Sequence, residues 1–451
     1  MIRLLQTLFF LFVISVLNGQ AHYQVWPFGY GNNLDNSFGI SFLDFRYGEV
    51  NVYPVKGVDK YSLDSAGSAI CADDGTPLLI ANNCDIRNAD FEIILNGDTL
   101  NPGPLYESHC VTFGIYPSPQ SSIMLPGISD SLFYLVHKNE FVSSFYRAAV
   151  SDSIYFSKIK MNHLGEFELL EKKIISEALT NPGRISATKT RNGKGWWINS
   201  VKFATNEFLL FRIENNTVIG PISSNIGPAL TQEELGIAQV SFSPDGSLIA
   251  FGTEEKGIFL FHFENETGNV KSYENFHLPD NKRGVGLNFS PNGRFVYVST
   301  GEDLYQVDLQ NDNELVFLAH HYEPGSNGWP VGIGFIYPGP DCRLYIAPES
   351  ATFYMHVIHS PNEKGLDCDL EIRAIRTPTR ISNDIINIPN VNHIQPCDSS
   401  IQWNIPSGLK EEKAHMDEIL SFPNPFVDGF ELTNFPEGMT QVELSIFRSF
   451  W

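Results

Sequence analysis

The chain has 451 residues, with 52 acidic against 30 basic side chains and a formal net charge of -22 at pH 7. Such a surface repels phosphate backbones and anionic headgroups, which argues against nucleic-acid binding and a membrane-surface role. With 36 Gly, 27 Pro and 13% aromatic residues the composition is that of a turn-rich, all-β chain, long enough to bury a large core.

Residues 1–20 read as a signal peptide. Arg3 supplies the positive start, Leu4 to Leu17 the apolar run, and Asn18-Gly19-Gln20-Ala21 a small, polar exit. The apolar run is short for a bilayer span and no later stretch approaches one, so membrane insertion is not expected. The six cysteines, Cys71, Cys84, Cys110, Cys342, Cys368 and Cys397, are an even set on an exported chain, which makes disulfides the expectation. Spacing does not fix their connectivity; Cys84 with Cys110 and Cys342 with Cys368 close modest loops and are the pairs expected.

From Ala21 to about Tyr61 the chain is aromatic and Gly-rich, with period-two alternation from Gly39 to Phe45, and reads as the first strands. Ser68 to Ala72 and Pro77 to Ala81 flank Asp73-Asp74-Gly75-Thr76, a hairpin with a Gly-bearing turn. Asn101 to Gln120 is dense in Pro and Gly and reads as a long connection. Strands resume at Ser131 to Val136, then at Ser153 to Lys160 and Glu166 to Ile175. Single helical turns fit only Ile174 to Leu179 and Gln232 to Leu235. After the turn Asn192-Gly193-Lys194-Gly195 come Trp196 to Phe203 and Glu207 to Glu214, the latter with Phe208, Leu210 and Arg212 on alternate positions.

The most informative stretch is Val240 to Thr253, VSFSPDGSLIAFGT, rewritten at Leu287 to Thr300 as LNFSPNGRFVYVST. In both, an alternating apolar run meets Ser-Pro-Asp/Asn-Gly and a second apolar run. Pro presets φ, Asp or Asn bonds its own backbone, and Gly takes the left-handed conformation, so each phrase is a hairpin. A degenerate copy is read at Gly332 to Phe335 continuing through Asp341 to Ile346, with a lengthened turn, and His356 to Pro361 closes the series. One hairpin cannot bury its own face; a unit recurring every few tens of residues implies neighbours stacked into a shared core. Units of ~40–50 residues with about four strands each are the habit of a β-propeller, and about seven blades fit residues 21–397. The rival, an array of β-sandwich domains, needs linkers between repeats, and none precedes Cys397. Residues 398–420, with Lys410-Glu411-Glu412-Lys413, read as a solvated linker. Residues 421–451 read as a further small β domain, with Pro-Asn-Pro at Pro423 to Pro425 and strands at Phe430 to Leu432 and Val442 to Phe447.

The phrases at Phe242 to Gly246 and Phe289 to Gly293 resemble the repeats of TolB-like and WD40-type propellers. The tail from Phe422 to Phe447 resembles the C-terminal sorting domain of type IX secretion cargo in Bacteroidetes, and His356 to Cys368 is similar to a closing-blade sequence of secreted propellers in those bacteria. Such sorting domains continue through further strands, whereas this chain stops at Trp451, so the tag is read as partial. The resemblance implies export through the periplasm of a Gram-negative bacterium to the cell surface or beyond, with the type IX machinery as a partner.

Chemistry is sparsely marked. Trp196-Trp197 offers a stacking surface for a sugar ring, although adjacent strand residues face opposite sides and one of the two belongs to the core on that reading. His320-His321 and His356 with His359 sit one and three apart, spacings that point strand side chains to opposite faces, so no metal site is expected. Asp73-Asp74-Gly75 only partly echoes a sialidase Asp-box. Calcium-loop, phosphate-loop, nucleophile-elbow and HExxH patterns are absent. No catalytic residues and no cofactor are therefore assigned. The leading reading is a monomeric secreted or surface propeller that binds an extracellular glycan or protein; the alternative is an extracellular carbohydrate-active hydrolase or lyase with paired acids at the channel mouth. N-terminal sequencing of the exported protein is expected to begin at Gln20 or Ala21; an intact Met1 would contradict the signal-peptide reading.

Overall fold

A computed structural model describes residues 21–31, 37–58, 60–231, 238–254, 256–324, 330–382, 385–392, 394, 396–403, 421–422 and 431–432. The described chain forms two units, one ending at Asn404 and a second beginning at Ile405. In the second, Ser421–Phe422 pairs antiparallel with Glu431–Leu432; the strand read at Val442 to Phe447 lies outside the described residues.

The first unit is a seven-bladed β-propeller. Blades 3 to 7 are four-stranded antiparallel meanders. Their inner strands are Ser122–Pro126, Ser186–Lys189, Val240–Phe242, Leu287–Phe289 and Ile333–Pro338, and their outer strands Phe167–Ser176, Thr217–Asn225, Asn269–Phe276, Glu314–His320 and Leu370–Ile381. Blade 2 has three strands, Ser68–Cys71, Pro77–Ala81 and Ile86–Asn88, and its fourth position is marked by a bridge from Arg87 to Ile93. Blade 1 also has three, Val25–Tyr30, Gly39–Asp44 and Asn51–Val55.

Apolar layers between neighbouring sheets hold the ring. Leu79, Ile159 and Phe133 fill the space between blades 2 and 3, Phe156, Trp196 and Phe211 that between 3 and 4, and Trp197, Phe251 and Phe261 that between 4 and 5. Ile258, Val296 and Phe289 join blades 5 and 6, and Phe295, Tyr297 and Ile346 join 6 and 7. The ring closes through Tyr345 of blade 7, whose centroid lies 5.4 Å from Trp26 and 5.2 Å from Phe45 of blade 1. Each such buried side chain contributes about 1.5–3 kcal/mol, and alternate residues of each strand serve the two flanking layers.

The repeated turns are built as their sequence demands. Ser243 Oγ donates to Asp245 Oδ1 at 2.6 Å and Ser247 N–H to the same oxygen at 3.1 Å; in the next blade Ser290 Oγ and Arg294 N–H do the same to Asn292 at 2.7 and 3.0 Å. Gly246 and Gly293 sit at φ of 68° and 72°. The third copy is not lengthened. Gly339-Pro340-Asp341-Cys342-Arg343 closes one residue earlier, with Gly339 N–H on Arg343 O where Ser243 bonds Leu248 and Ser290 bonds Phe295; Arg343 N–H again meets Asp341 Oδ1, at 3.2 Å, and Cys342 adopts φ of 66° where its two relatives have glycine. A side chain in that conformation costs about 1 kcal/mol or more. These hairpins define the turn face of the propeller; the chain passes from blade to blade at the opposite face.

The axis is occupied by the chain itself. Blade 1 starts at the turn face, where Trp26 and Phe45 meet Tyr345, so its first strand runs as second strands do elsewhere, and its inner position is taken by Tyr61 to Leu63, where Tyr30 bridges antiparallel to Ser62 and Leu63 N–H donates to Gly29 O at 2.9 Å. After blade 7 the chain returns through the middle, with Asn390 bridging parallel to Thr188. Ile385 and Ile386 are fully buried. Asn387 donates its backbone N–H to Gly67 O at 2.7 Å and its side-chain amide to Ser122 O at 2.9 Å and Ile185 O at 2.8 Å, so one residue ties blades 2, 3 and 4. Two buried glutamines extend the pattern. Gln120 exchanges hydrogen bonds with the backbone of Val240, and Gln239 does so with Ile336 while also accepting from Leu287 N–H, reaching blades 5, 6 and 7. Beside these residues lies a cavity of about 30 Å³, room for about one water.

Beyond Val391 the chain crosses the turn face. Cys397 is bonded to Cys342, Asp398 N–H donates to Pro340 O at 2.6 Å, and Gln402 pairs with Glu49 of blade 1. Residues 398–403, read as the start of a linker, are therefore docked on the propeller, with Ile401 buried. Cys84 is bonded to Cys110, which staples the helical stretch Tyr106–Phe113 to blade 2. The expected Cys342–Cys368 pair does not form. Cys368 lies fully buried in the layer between blades 6 and 7, and the return of the chain brings Cys397 to Cys342 instead. Helix occurs at Tyr106–Phe113, in the stretch read as a Pro/Gly connection; Ile174 to Ser176 end a strand, and Gln232 to Leu235 lie outside the described residues.

Replacing Asn387 by Ala strands two buried carbonyls and is expected to cost about 3 kcal/mol in chemical denaturation; a loss under about 0.5 kcal/mol would contradict the axial role. His137 gives a pH signature. Burial between Asn101 and Ser157 lowers its pKa to about 3, against 6.5 for the unfolded chain. The unfolded state therefore binds the extra proton between those values, and the contribution of this residue to stability is complete above pH 6.5 and lost as pH falls towards 3. His137→Asn is expected to flatten the acid limb of the stability profile.

Candidate functional site

The axial contacts leave the faces and the rim as the accessible surfaces among the described residues. One gathering of ionisable groups lies at the mouth of the ring, at the face opposite the turns. Second strands of blades 5, 6 and 7 end at Gly252, Ser299 and Pro348, and each is followed within three residues by a glutamate: Glu254, Glu302 and Glu349. Arg184 and Arg283 lie just ahead of the inner strands of blades 4 and 6.

Charge couples Glu349 to Arg283, Glu302 and Glu254, and Arg184 to Glu254. Burial holds the Glu349 carboxyl above its ordinary range; Arg283, its ion-pair partner, opposes the shift, and the charges of Glu302 and Glu254 reinforce it. Arg184 is buried and feels Glu254, its Nη1 donates to Gly252 O at 3.1 Å, and its guanidinium lies 4.6 Å over the Phe251 ring. Desolvation lowers its pKa to about 9. The backbone here admits no side chains. Gly301 has φ of 95°, and a Cβ on Gly332 would fall 1.8 Å from Gly301 O, because Ile333 N–H donates to that carbonyl at 2.7 Å where blades 6 and 7 touch. Chemically, the mouth offers carboxylates beside a half-exposed guanidinium, with the Glu349 carboxyl held above its ordinary range by burial.

A second polar group lies under blade 3. Lys138 Nζ donates to Asn181 O at 2.7 Å and Gly183 O at 2.6 Å, and Gly183 N–H donates to Glu140 Oε1 at 2.7 Å. Burial pushes Lys138 down to about 7 and Glu140 up. These groups are sealed from solvent and act as a polar brace for the long hairpin formed by Leu132–Ser143 and Ala148–Met161, whose tip exposes Phe145.

The sequence candidates fare differently. Trp196 and Trp197 are both buried, in different interblade layers, with their indole N–H groups on Pro126 O at 3.2 Å and Asn265 O at 2.7 Å. Alternation sent each to one neighbour, and neither is available to a ligand. The histidine pairs are recombined. His320 Nδ1 lies 2.7 Å from Asp303, which also bonds Lys282 and Tyr305; His321 packs edge-on against the buried His356; and His359 contacts Glu371 at 3.0 Å. No cluster of three metal-ligating side chains occurs among the described residues. Sequence reasoning missed the mouth, although a signal existed: the glutamates follow the second apolar run of each repeat at nearly the same offset.

No protein-family model matches the chain, and no curated protein does. Among solved structures it is similar to two proteins provisionally assigned as 6-phosphogluconolactonases. The one from Bacteroides fragilis is 13% identical over 81% of this chain and 99% of that one, with a TM-score of 0.45. The one from Bacteroides uniformis is 14% identical over 80% and 97%, with a TM-score of 0.43. The β-propeller domain of Cps50 (Swd1) from Myceliophteria thermophila is 12% identical over 69% and 88%, with a TM-score of 0.42. At such identities the likeness says nothing about chemistry.

Proposed function

We propose that this protein is a secreted or cell-surface binding module that takes its ligand on a face of the ring. The observation that carries this reading is the filled axis: Asn387, Gln120 and Gln239 spend their amides on the inner strands, and the cavity beside them holds about one water. A rigid, closed ring presenting loops and a charged mouth suits recognition. Two disulfides fit an oxidising compartment, and no helix among the described residues is long and apolar enough to cross a membrane. Handling by type IX secretion machinery, with a glycan or protein outside the cell as ligand, belongs to the same reading.

A purified-protein screen on glycan and peptide arrays is expected to give saturable binding to one class, weakened at least about tenfold by Arg283→Ala if the mouth is the contact surface. Uniform absence of binding would overturn the reading. The second reading, a carbohydrate-active hydrolase or lyase, is favoured by one observation: Glu349 is a carboxyl held protonated to higher pH by burial beside two further carboxylates, as a general acid requires. On that reading polysaccharide turnover falls by about 10²-fold or more in Glu349→Gln, with loss of the basic limb of the pH profile; turnover unchanged in this variant removes it.

A further inference from the structure

The two disulfides are not equivalent. Cys84 and Cys110 are nearly excluded from solvent, whereas Cys342 and Cys397 are both partly exposed at the turn face. Cys342 also occupies the one repeated turn in which the left-handed glycine has been replaced, so the local backbone cost is accepted where a thiol is needed to meet the returning chain. The strap fastened there leaves the axis at Asn392, passes Ile394, and is held beyond the bond by Asp398 on Pro340 and by Gln402 on Gly48 and Val50. Asn392, Pro396 and Cys397 wall a groove of about 440 Å³ whose floor is the two repeated turns, including Asp245 and Asn292.

We propose that Cys342–Cys397 is a redox-labile latch: its reduction loosens the strap residues 392, 394 and 396–403 and opens this groove, while the axial residues Ile385–Val391 stay in place. The division follows from the contacts. Asn390 donates its side-chain amide to Ser243 O at 2.6 Å and its N–H to Ala187 O at 2.8 Å, and Val391 is buried, so the axial part is fixed without the disulfide. Beyond the bond the strap buries Ile401 and packs Trp403 edge-on against His359, with ring centroids 4.8 Å apart, and under the Arg343 guanidinium at 5.5 Å; ahead of the bond it is held by Ile394 N–H on Val391 O at 2.9 Å and by the covalent bond itself. The reductant is a dithiol. Its thiolate attacks one sulfur, its second thiol resolves the mixed disulfide, and two electrons and two protons end on Cys342 and Cys397 as the dithiol becomes a cyclic disulfide.

The test is graded treatment of the native protein with dithiothreitol, followed by differential alkylation and mass mapping, with thermolysin digestion run in parallel. Cys342 and Cys397 are expected to become alkylated at least about tenfold faster than Cys84 and Cys110, and cleavage ahead of Ile394 or Ile401 to rise at least about tenfold, with Ile385 and Ile386 resistant. C342S/C397S should show the same cleavage without reductant, and C84S/C110S should not. Equal or faster reduction of Cys84–Cys110, or a strap equally resistant with the latch open, overturns the proposal; the reduction order is read on the native protein and does not depend on the variants folding.

Discussion

The structure depends on how its axis is closed. A ring of seven sheets brings seven inner edges towards one line, with backbone polar groups that must be paired or hydrated. Here the chain fills that line with itself. Asn387 and the two glutamines supply side-chain amides, each a donor and acceptor in one planar group, and so satisfy carbonyls and N–H groups on blades that have no strand in common. The return from blade 7 thus ties together blades 2, 3 and 4, which were synthesised long before it.

The filled axis shapes what the protein can do. A propeller with an open channel can enclose a substrate; this one offers surfaces. The face opposite the turns concentrates charge, because second strands of adjacent blades end in glutamates that approach Arg283 and Arg184. The turn face is crossed by the strap and carries the exposed disulfide. Between them lie the apolar interblade layers.

Much of this was legible in the residues. The Ser-Pro-Asp/Asn-Gly phrases gave both the hairpins and the radial repeat, since their turn chemistry is local and their apolar runs are buried on both sides. Outer strands such as Thr217–Asn225 were silent because they are largely exposed and lack alternation. The third repeat was misaligned because Cys342 replaces the glycine that marks the turn, and the same substitution hid the true partner of Cys397. The axial segment could not be read at all: Ile385-Ile386-Asn387 is too short to signal an element, and its importance lies in contacts with residues about 200 to 300 positions away. The tryptophan pair misled for the opposite reason, a conspicuous motif that alternation consigned wholly to the core.

The most direct measurement of the central claim is residue-resolved amide hydrogen exchange in the native, oxidised protein. If the chain closes its own axis, the N–H groups of Asn387 and Asn390, bonded to Gly67 and Ala187, exchange as slowly as the inner strands they touch. Exchange of both at the rate of exposed loop amides would mean that the axis is open and that the ring is closed by something else.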